Sequence, residues 1–120
     1  MFTASATTPG LSKILEWDYD VSGIKIPWMM VGGTGAIDAN IISTPSGMKE
    51  NYNGVSGNGL TVMARRKDTE HGYMLYKPDG YMTAWFMYTL NGDKTAKKAF
   101  LGSKPELKNN DIWQDVAIKK

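Results

Sequence analysis

The sequence predicts an α/β domain whose core is a partial parallel sheet with flanking helices. A continuous apolar run, Trp28 to Val31, is typical of a strand that is covered on both faces. A second short apolar and β-branched segment, LTVMAR at 60–65, predicts another buried strand. Helical segments lie between and after these strands, and such alternation favours parallel βαβ units.

Composition limits the possible classes. The chain has 120 residues, enough for one domain, and its net charge of +2 is too small to indicate a nucleic-acid partner. Without cysteine it has neither disulfides nor thiolate metal sites. We also expect no membrane partner, because no apolar run approaches about 18 residues. Residues 1–16 are expected to be a flexible or truncated lead-in, and residues 17–120 to form the domain.

The chain is organised around the stretch from Ile24 to Asp38. A strand is predicted over 24–32, where Pro27 is compatible with an opening position. A glycine-rich turn then breaks the apolar run, so Asp38 is expected just beyond the carboxyl end of the strand. Ligands and catalytic groups collect at that edge of open α/β sheets.

Further elements are predicted from capping and turn residues. Ser12 and Ser46 are candidate caps of short helices, the second running to about Asn53. Asp79 is a candidate N-cap for a buried helix over 81–90, YMTAWFMYTL, which is apolar nearly all round. Asp93 is expected to cap a further helix over 94–101, and the tail from 105 to 120 has enough apolar residues to dock on the body.

Asp38 and His71 are the candidate catalytic residues. His71, the only histidine, follows the second buried strand, so adjacent parallel strands would bring both side chains to one edge. A carboxylate bonded to one imidazole nitrogen fixes the tautomer and stabilises the imidazolium formed during proton transfer. The alternatives are a surface histidine and an aspartate that caps a helix. Asp38, Glu70 and His71 are also conceivable metal ligands, but one histidine with scattered acids is poor evidence for a metal site.

At these residues the sequence resembles a known family. VGGTGAID, followed by EHGYMLYKPDGYMTAWFMYTLNGDKTAKKAF, is similar to the C-terminal part of α/β-hydrolases of the dienelactone-hydrolase and polyester-esterase kind. The resemblance covers roughly residues 17–115. It implies that Asp38 is the acid and His71 the general base of a Ser-His-Asp triad, acting on a small ester-type substrate without a cofactor or metal.

The chain departs from the family at the nucleophile, because it has no G-x-S-x-G elbow. The nearest segment is Gly54-Val55-Ser56-Gly57-Asn58, but it follows the acid, and Ser56 is interpreted as a loop serine. We therefore expect a C-terminal fragment whose nucleophile and oxyanion hole lie upstream and which is inactive alone. A truncated sheet exposes an edge and an apolar face, so association with itself or with the missing half is expected.

Two other functions remain open. A non-catalytic binding module, for carbohydrate or another small ligand, would need antiparallel strands and exposed tryptophans. A self-associating structural domain would leave His71 in solvent. The aromatic residues and the methionines are interpreted mainly as core, namely Trp28, Trp85, Phe86, Tyr88 and Trp113, with Met29, Met30, Met63, Met82 and Met87.

Overall fold

The computed structural model describes residues 1–120 as an α/β domain with a four-stranded mixed sheet. The strands and α-helices follow one another as β1 (Phe2–Ala4), α1 (Pro9–Ile14), β2 (Trp28–Gly33), α2 (Ala36–Asn40), α3 (Pro45–Gly54), β3 (Thr61–Arg66), α4 (Asp79–Asn91), α5 (Glu106–Asn109) and β4 (Trp113–Lys119). The strands lie in the sheet in the order β1-β2-β3-β4. Two 3-10 helices cover His71–Leu75 and Ala96–Ala99. No helix is both long enough and apolar enough to cross a membrane.

The predicted central strand is β2, which begins at Trp28 and not at Ile24, and it is covered on both faces. Every residue from Trp28 to Gly33 is buried. Met29 and Val31 belong to the apolar cluster that includes Trp85 of α4, whereas Trp28 and Met30 belong to a second cluster that includes Met48 of α3. Since successive side chains of a strand point to opposite faces, a strand between two helical layers must be apolar throughout.

The second predicted strand is β3, and it lies beside β2 in parallel register. Trp28 pairs with Thr61 at one end, and Gly33 pairs with Arg66 at the other. The two strands therefore end level with each other, and the segments that follow them leave from the same edge of the sheet.

The first residues contribute to the sheet instead of forming a lead-in. Phe2 to Ala4 pair in parallel with Met29 to Val31, and Thr8 precedes a short helix that has Pro9 in its first turn. A three-residue strand is too short to show an apolar pattern in the sequence, so this element went unrecognised.

The expectation of a parallel sheet is wrong at β4. This strand forms within the tail, and it pairs antiparallel with β3. Trp113 lies opposite Arg66, at the end of β3, so the chain can only run back along that strand. The tail packs on the rest of the domain as expected. A bulge near Asp115, whose φ is +52°, interrupts the alternation of side chains between the two faces of the sheet, so the strand is not recognisable in the sequence.

The sequence of α4 predicts a helix that is buried all round, and this prediction is wrong. Trp85 is its only buried residue, and Phe86, Met87 and Leu90 are 38%, 42% and 76% exposed. The helix rests on one face of the sheet, and no second layer covers its outer side. Trp85 itself packs edge-on against Phe100, with ring centroids 5.2 Å apart.

Other helix ends differ from prediction by a residue or two. Thr44, not Ser46, caps α3, and its hydroxyl accepts from the amide of Gly47. Asp79 is the first residue of α4 and not its cap. Asp93 accepts hydrogen bonds from the amides of Thr95 and Ala96, but the helix expected over 94–101 is a single 3-10 turn. Turning there brings Phe100 into the core, where it is fully buried.

The tail is held to α4 by a polar contact at Tyr81. The Tyr81 hydroxyl donates to Glu106 and accepts from the side-chain amide of Asn110. Partial burial, together with the bond to Glu106, raises the pKa of Tyr81 well above its ordinary value. This contact joins α4 to α5 and the turn that starts β4.

We expect Trp85→Ala to lower the free energy of unfolding by about 3–5 kcal/mol, because it empties the centre of the larger apolar cluster. Leu90→Ala, on the exposed side of the same helix, should change it by less than about 0.5 kcal/mol. Urea unfolding measures both, and equal effects of the two substitutions would contradict this packing.

Candidate functional site

The acid of the predicted pair lies at the carboxyl end of β2. Asp38 is in the first turn of α2, directly after the glycine-rich turn, and it is fully buried. Its Oδ2 accepts a hydrogen bond of 2.7 Å from the backbone amide of Gly33. The sequence predicts Asp38 just beyond the carboxyl end of the strand, and the structure places it there, on the short helix that follows the glycine-rich turn.

The histidine comes from the segment that follows β3. His71 begins the 3-10 helix, and 38% of its side chain is exposed. Its Nδ1 lies 2.7 Å from Oδ1 of Asp38. Because a carboxylate accepts hydrogen bonds, this contact favours the tautomer with the proton on Nδ1, which leaves the lone pair on Nε2. The two residues predicted from the sequence are thus brought together in bonding distance.

A close contact of backbones positions the two segments. A side chain at Gly33 would collide with the carbonyl oxygen of Thr69, and one at Gly35 would collide with Glu70. The amide of Gly35 donates to that same Thr69 carbonyl at 2.9 Å. Glycine is therefore needed here so that the histidine segment can lie directly on the acid turn.

Further hydrogen bonds join the same two segments. The amide of Thr34 donates to the carbonyl of Arg66 at 3.1 Å, and the Thr34 hydroxyl accepts from the amide of Asp68 at 2.9 Å. The acid turn and the histidine segment consequently behave as one bonded unit, and the Asp38–His71 distance does not depend on side-chain contacts alone.

Asp38 has a third donor that the sequence analysis missed. The hydroxyl of Ser5 donates to Oδ2, the oxygen that also accepts from Gly33. Ser5 comes directly after β1, so it lies at the same edge of the sheet as the other two residues. The contact of Ser5 with Asp38 could have been predicted only if β1 had been recognised as a strand in the sequence.

A buried cation also contacts the acid turn. Arg65 donates from Nη2 to the carbonyl of Gly33 at 3.0 Å, and its Nη1 lies 3.4 Å from a carboxylate oxygen of Asp115. The Nε of Arg65 is buried without a hydrogen-bond partner. Arg65 therefore bonds the backbone of the turn, while its charge faces Asp115 at the bulge of β4.

A small cavity of about 140 Å³ lies beside His71. Its walls come from the end of β1 and from the 3-10 helix, namely Ala4, Ser5, His71, Gly72, Met74 and Leu75. A larger groove, of about 600 Å³, lies between α4 and the segment 93–99, and none of its lining residues belongs to the Asp38–His71 pair. Of these two cavities, only the smaller one is lined by His71.

Ser56 does not join the pair. It lies in the loop before β3, where its hydroxyl donates to the carbonyl of Ser22 at 2.7 Å. Asp38 and His71 lie beyond the opposite ends of the strands, and a six-residue strand spans about 20 Å. The prediction that Ser56 is a loop serine therefore agrees with its position.

No three histidine, cysteine, aspartate or glutamate residues are grouped so that they could hold a metal ion, and this includes the set of Asp38, Glu70 and His71. The contacts of the site are instead those of a carboxylate with hydrogen-bond donors.

Neither a protein-family model nor a curated protein matches the chain.

We expect Gly33→Ala to lower the free energy of unfolding by about 1–3 kcal/mol, because the added methyl group must displace the Thr69 backbone. Gly80→Ala is a matched control, since a methyl group there meets open space at the start of α4. It should be neutral or stabilise the protein by about 0.4–1 kcal/mol. Thermal or urea unfolding distinguishes the two, and a harmless Gly33→Ala would contradict the close backbone contact.

Proposed function

We propose that this chain carries the acid and the base of a serine hydrolase that acts on carboxylic esters. The observation that carries the proposal is the 2.7 Å contact between Nδ1 of His71 and Oδ1 of a fully buried Asp38, at the carboxyl edge of parallel strands. A buried acid that orients a partly exposed imidazole is the arrangement that a nucleophile–histidine–acid triad requires. The resemblance of the two sequence segments to α/β-hydrolases supports the same assignment.

In this mechanism His71 transfers the protons. Its Nε2 removes the hydroxyl proton of a serine as the serine oxygen attacks the ester carbonyl, and Asp38 stabilises the imidazolium that results. The imidazolium then gives its proton to the departing alcohol, which leaves an acyl-serine. Water then attacks the acyl carbonyl as the same nitrogen takes its proton, and the imidazolium returns this proton to the serine oxygen as the carboxylic acid is released.

The nucleophile of the proposed enzyme comes from chain outside residues 1–120. The free edge of β1 is the place where such chain fits, because β1 pairs on one side only. A further strand parallel to β1 would end at the same edge of the sheet as Asp38 and His71. A serine that follows this strand would then face the exposed side of the histidine.

The apolar surface next to β1 supports the proposal that a further segment lies beside this strand. Phe86 contacts Phe2 of β1, with ring centroids 6.4 Å apart, and Leu90 lies one helical turn further along the same side of α4. Leu75, at the rim of the small cavity, is 79% exposed. We call this surface, made by Phe2, Leu75, Phe86 and Leu90, the edge face. The segment that supplies the nucleophile is its proposed occupant.

The alternative of a carbohydrate-binding module finds less support. That function needs antiparallel strands with several exposed tryptophans, but β1, β2 and β3 run parallel. Of the four tryptophans only Trp17 is exposed, at 63%. The several exposed tryptophans that this function requires are therefore not present.

We expect the natural gene product to hydrolyse p-nitrophenyl acetate, and His71→Ala and Asp38→Asn to lower kcat by about 10³- to 10⁴-fold. The reason is that the first substitution removes the base and the second removes the charge that supports it. Ser56→Ala, in a loop at the other end of the strands, is the control and should hydrolyse at the unchanged rate. An inactive natural product, or full activity of His71→Ala, would disprove the proposal.

We expect residues 1–120 alone to self-associate, because the free edge of β1 and the edge face are then uncovered. Leu75→Lys combined with Leu90→Lys should shift the chain toward monomer, since both side chains are at least three-quarters exposed and contribute little to folding. Sedimentation velocity over a concentration series measures this. A wild-type chain that stays monomeric at high concentration would count against the exposed surface as an interface.

A further inference from the structure

Ser5 is a buried serine held in an unusual backbone conformation at the edge of the sheet. It is 8% exposed, and its φ of +46° lies in the left-handed region that non-glycine residues seldom adopt. Its amide donates to the carbonyl of Val31 at 2.8 Å, which continues the pairing of β1 with β2. Unfavourable backbone conformations of this kind persist where the surroundings fix them, and they are concentrated at functional sites.

The segment after Ser5 is anchored independently of the Asp38–His71 pair. Ser43, which is buried, donates its hydroxyl to the carbonyl of Ala6 at 2.7 Å, and the amide of Thr8 donates to the carbonyl of Ile42 at 3.1 Å. Ser5 is thereby fixed on both sides, by β2 before it and by residues 42–43 after it. Its hydroxyl is presented to Asp38 by a rigid backbone.

The three donors to Asp38 are divided between its two oxygens. Ser5 and the amide of Gly33 bind Oδ2, and His71 binds Oδ1. Two donors from different strands on Oδ2 fix the rotation of the carboxylate about its last bond. Oδ1 is then aimed at the histidine, and each oxygen of the buried carboxylate has at least one hydrogen-bond partner.

We propose that Ser5 is a positioning residue, which orients the Asp38 carboxylate so that His71 keeps its proton on Nδ1 and its lone pair on Nε2. As a contribution to catalysis the inference rests on the proposed function, whereas its effect on the histidine tautomer does not. Ser5 does not act as the nucleophile, although it precedes the acid and the histidine in the chain. Its hydroxyl proton is donated to Asp38, whereas a nucleophile must give its proton to the histidine.

The test is the tautomer of the neutral His71 imidazole, measured from its ring nitrogen shifts in long-range ¹H–¹⁵N spectra. His71 is the only histidine, so its signals need no assignment. In the wild-type chain the Nδ1–H form should predominate. In Ser5→Ala the ratio of the Nδ1–H to the Nε2–H form should fall at least about threefold, because the carboxylate loses the donor that sets its plane.

Two further variants separate the hydroxyl from other causes. Ser5→Gly also lacks the hydroxyl but relieves the left-handed backbone, so it should change the tautomer ratio as Ser5→Ala does. Ser12→Ala removes a buried serine whose hydroxyl bonds only the backbone carbonyl of Pro9, and it should leave the ratio unchanged. A wild-type ratio in both Ser5 variants, or an effect of Ser5→Ala that Ser5→Gly does not share, would overturn the proposal.

A measurement on the wild-type chain covers the case in which the Ser5 variants fail to fold. A buried serine hydroxyl bonded to a carboxylate should give a slowly exchanging hydroxyl proton signal that correlates with Ser5. If the Ser5 hydroxyl exchanges at the rate of solvent-exposed serines, the proposal is wrong.

Kinetics of the natural gene product distinguish this proposal from the proposed function. There Ser5→Ala should lower kcat about 10- to 100-fold with little change in KM, which is the usual size of an effect on the support of a functional residue. An inactive wild-type enzyme together with a tautomer shift would refute only the hydrolase function. An active enzyme that Ser5→Ala does not impair would refute only the catalytic role of Ser5.

Discussion

The parallel, level pairing of β2 with β3 is the constraint on which the rest of the structure depends. Because Gly33 lies opposite Arg66, the acid turn and the histidine segment leave the sheet side by side. A shift of one residue in this register would move the buried side chains of β3 to the wrong face, and both apolar clusters would be lost. The packing that stabilises the sheet therefore also sets the geometry of the site.

The site shows how a charged group is kept in a protein interior. Burying a carboxylate is costly unless hydrogen-bond donors replace the water that it loses. Around Asp38 these donors come from three successive strands and the segments that follow them, namely Ser5 after β1, Gly33 in β2 and His71 after β3. The carboxylate thus links all three parallel strands at one edge, and its orientation is a property of the sheet as a whole.

The helical layers do not cover the sheet completely, and the edge face is the part that they leave exposed. On one face α4 covers the sheet through Trp85 and leaves Phe86 and Leu90 exposed, while β1 remains unpaired on its outer side. In the proposed function, the segment that brings the nucleophile to His71 is also the one that covers this side of α4.

The sequence by itself determined the two buried strands, the residues of the acid–histidine pair and the α/β class. These follow from local patterns: a continuous apolar run indicates a strand between two layers, and a glycine turn at its end indicates where the acid lies. Only the tertiary structure decided the antiparallel direction of β4, the contribution of β1, the exposure of α4 and the contact of Ser5 with Asp38. Each of these depends on which distant segment lies alongside, and neither a three-residue strand nor a bulged one carries a periodic signal long enough to reveal it.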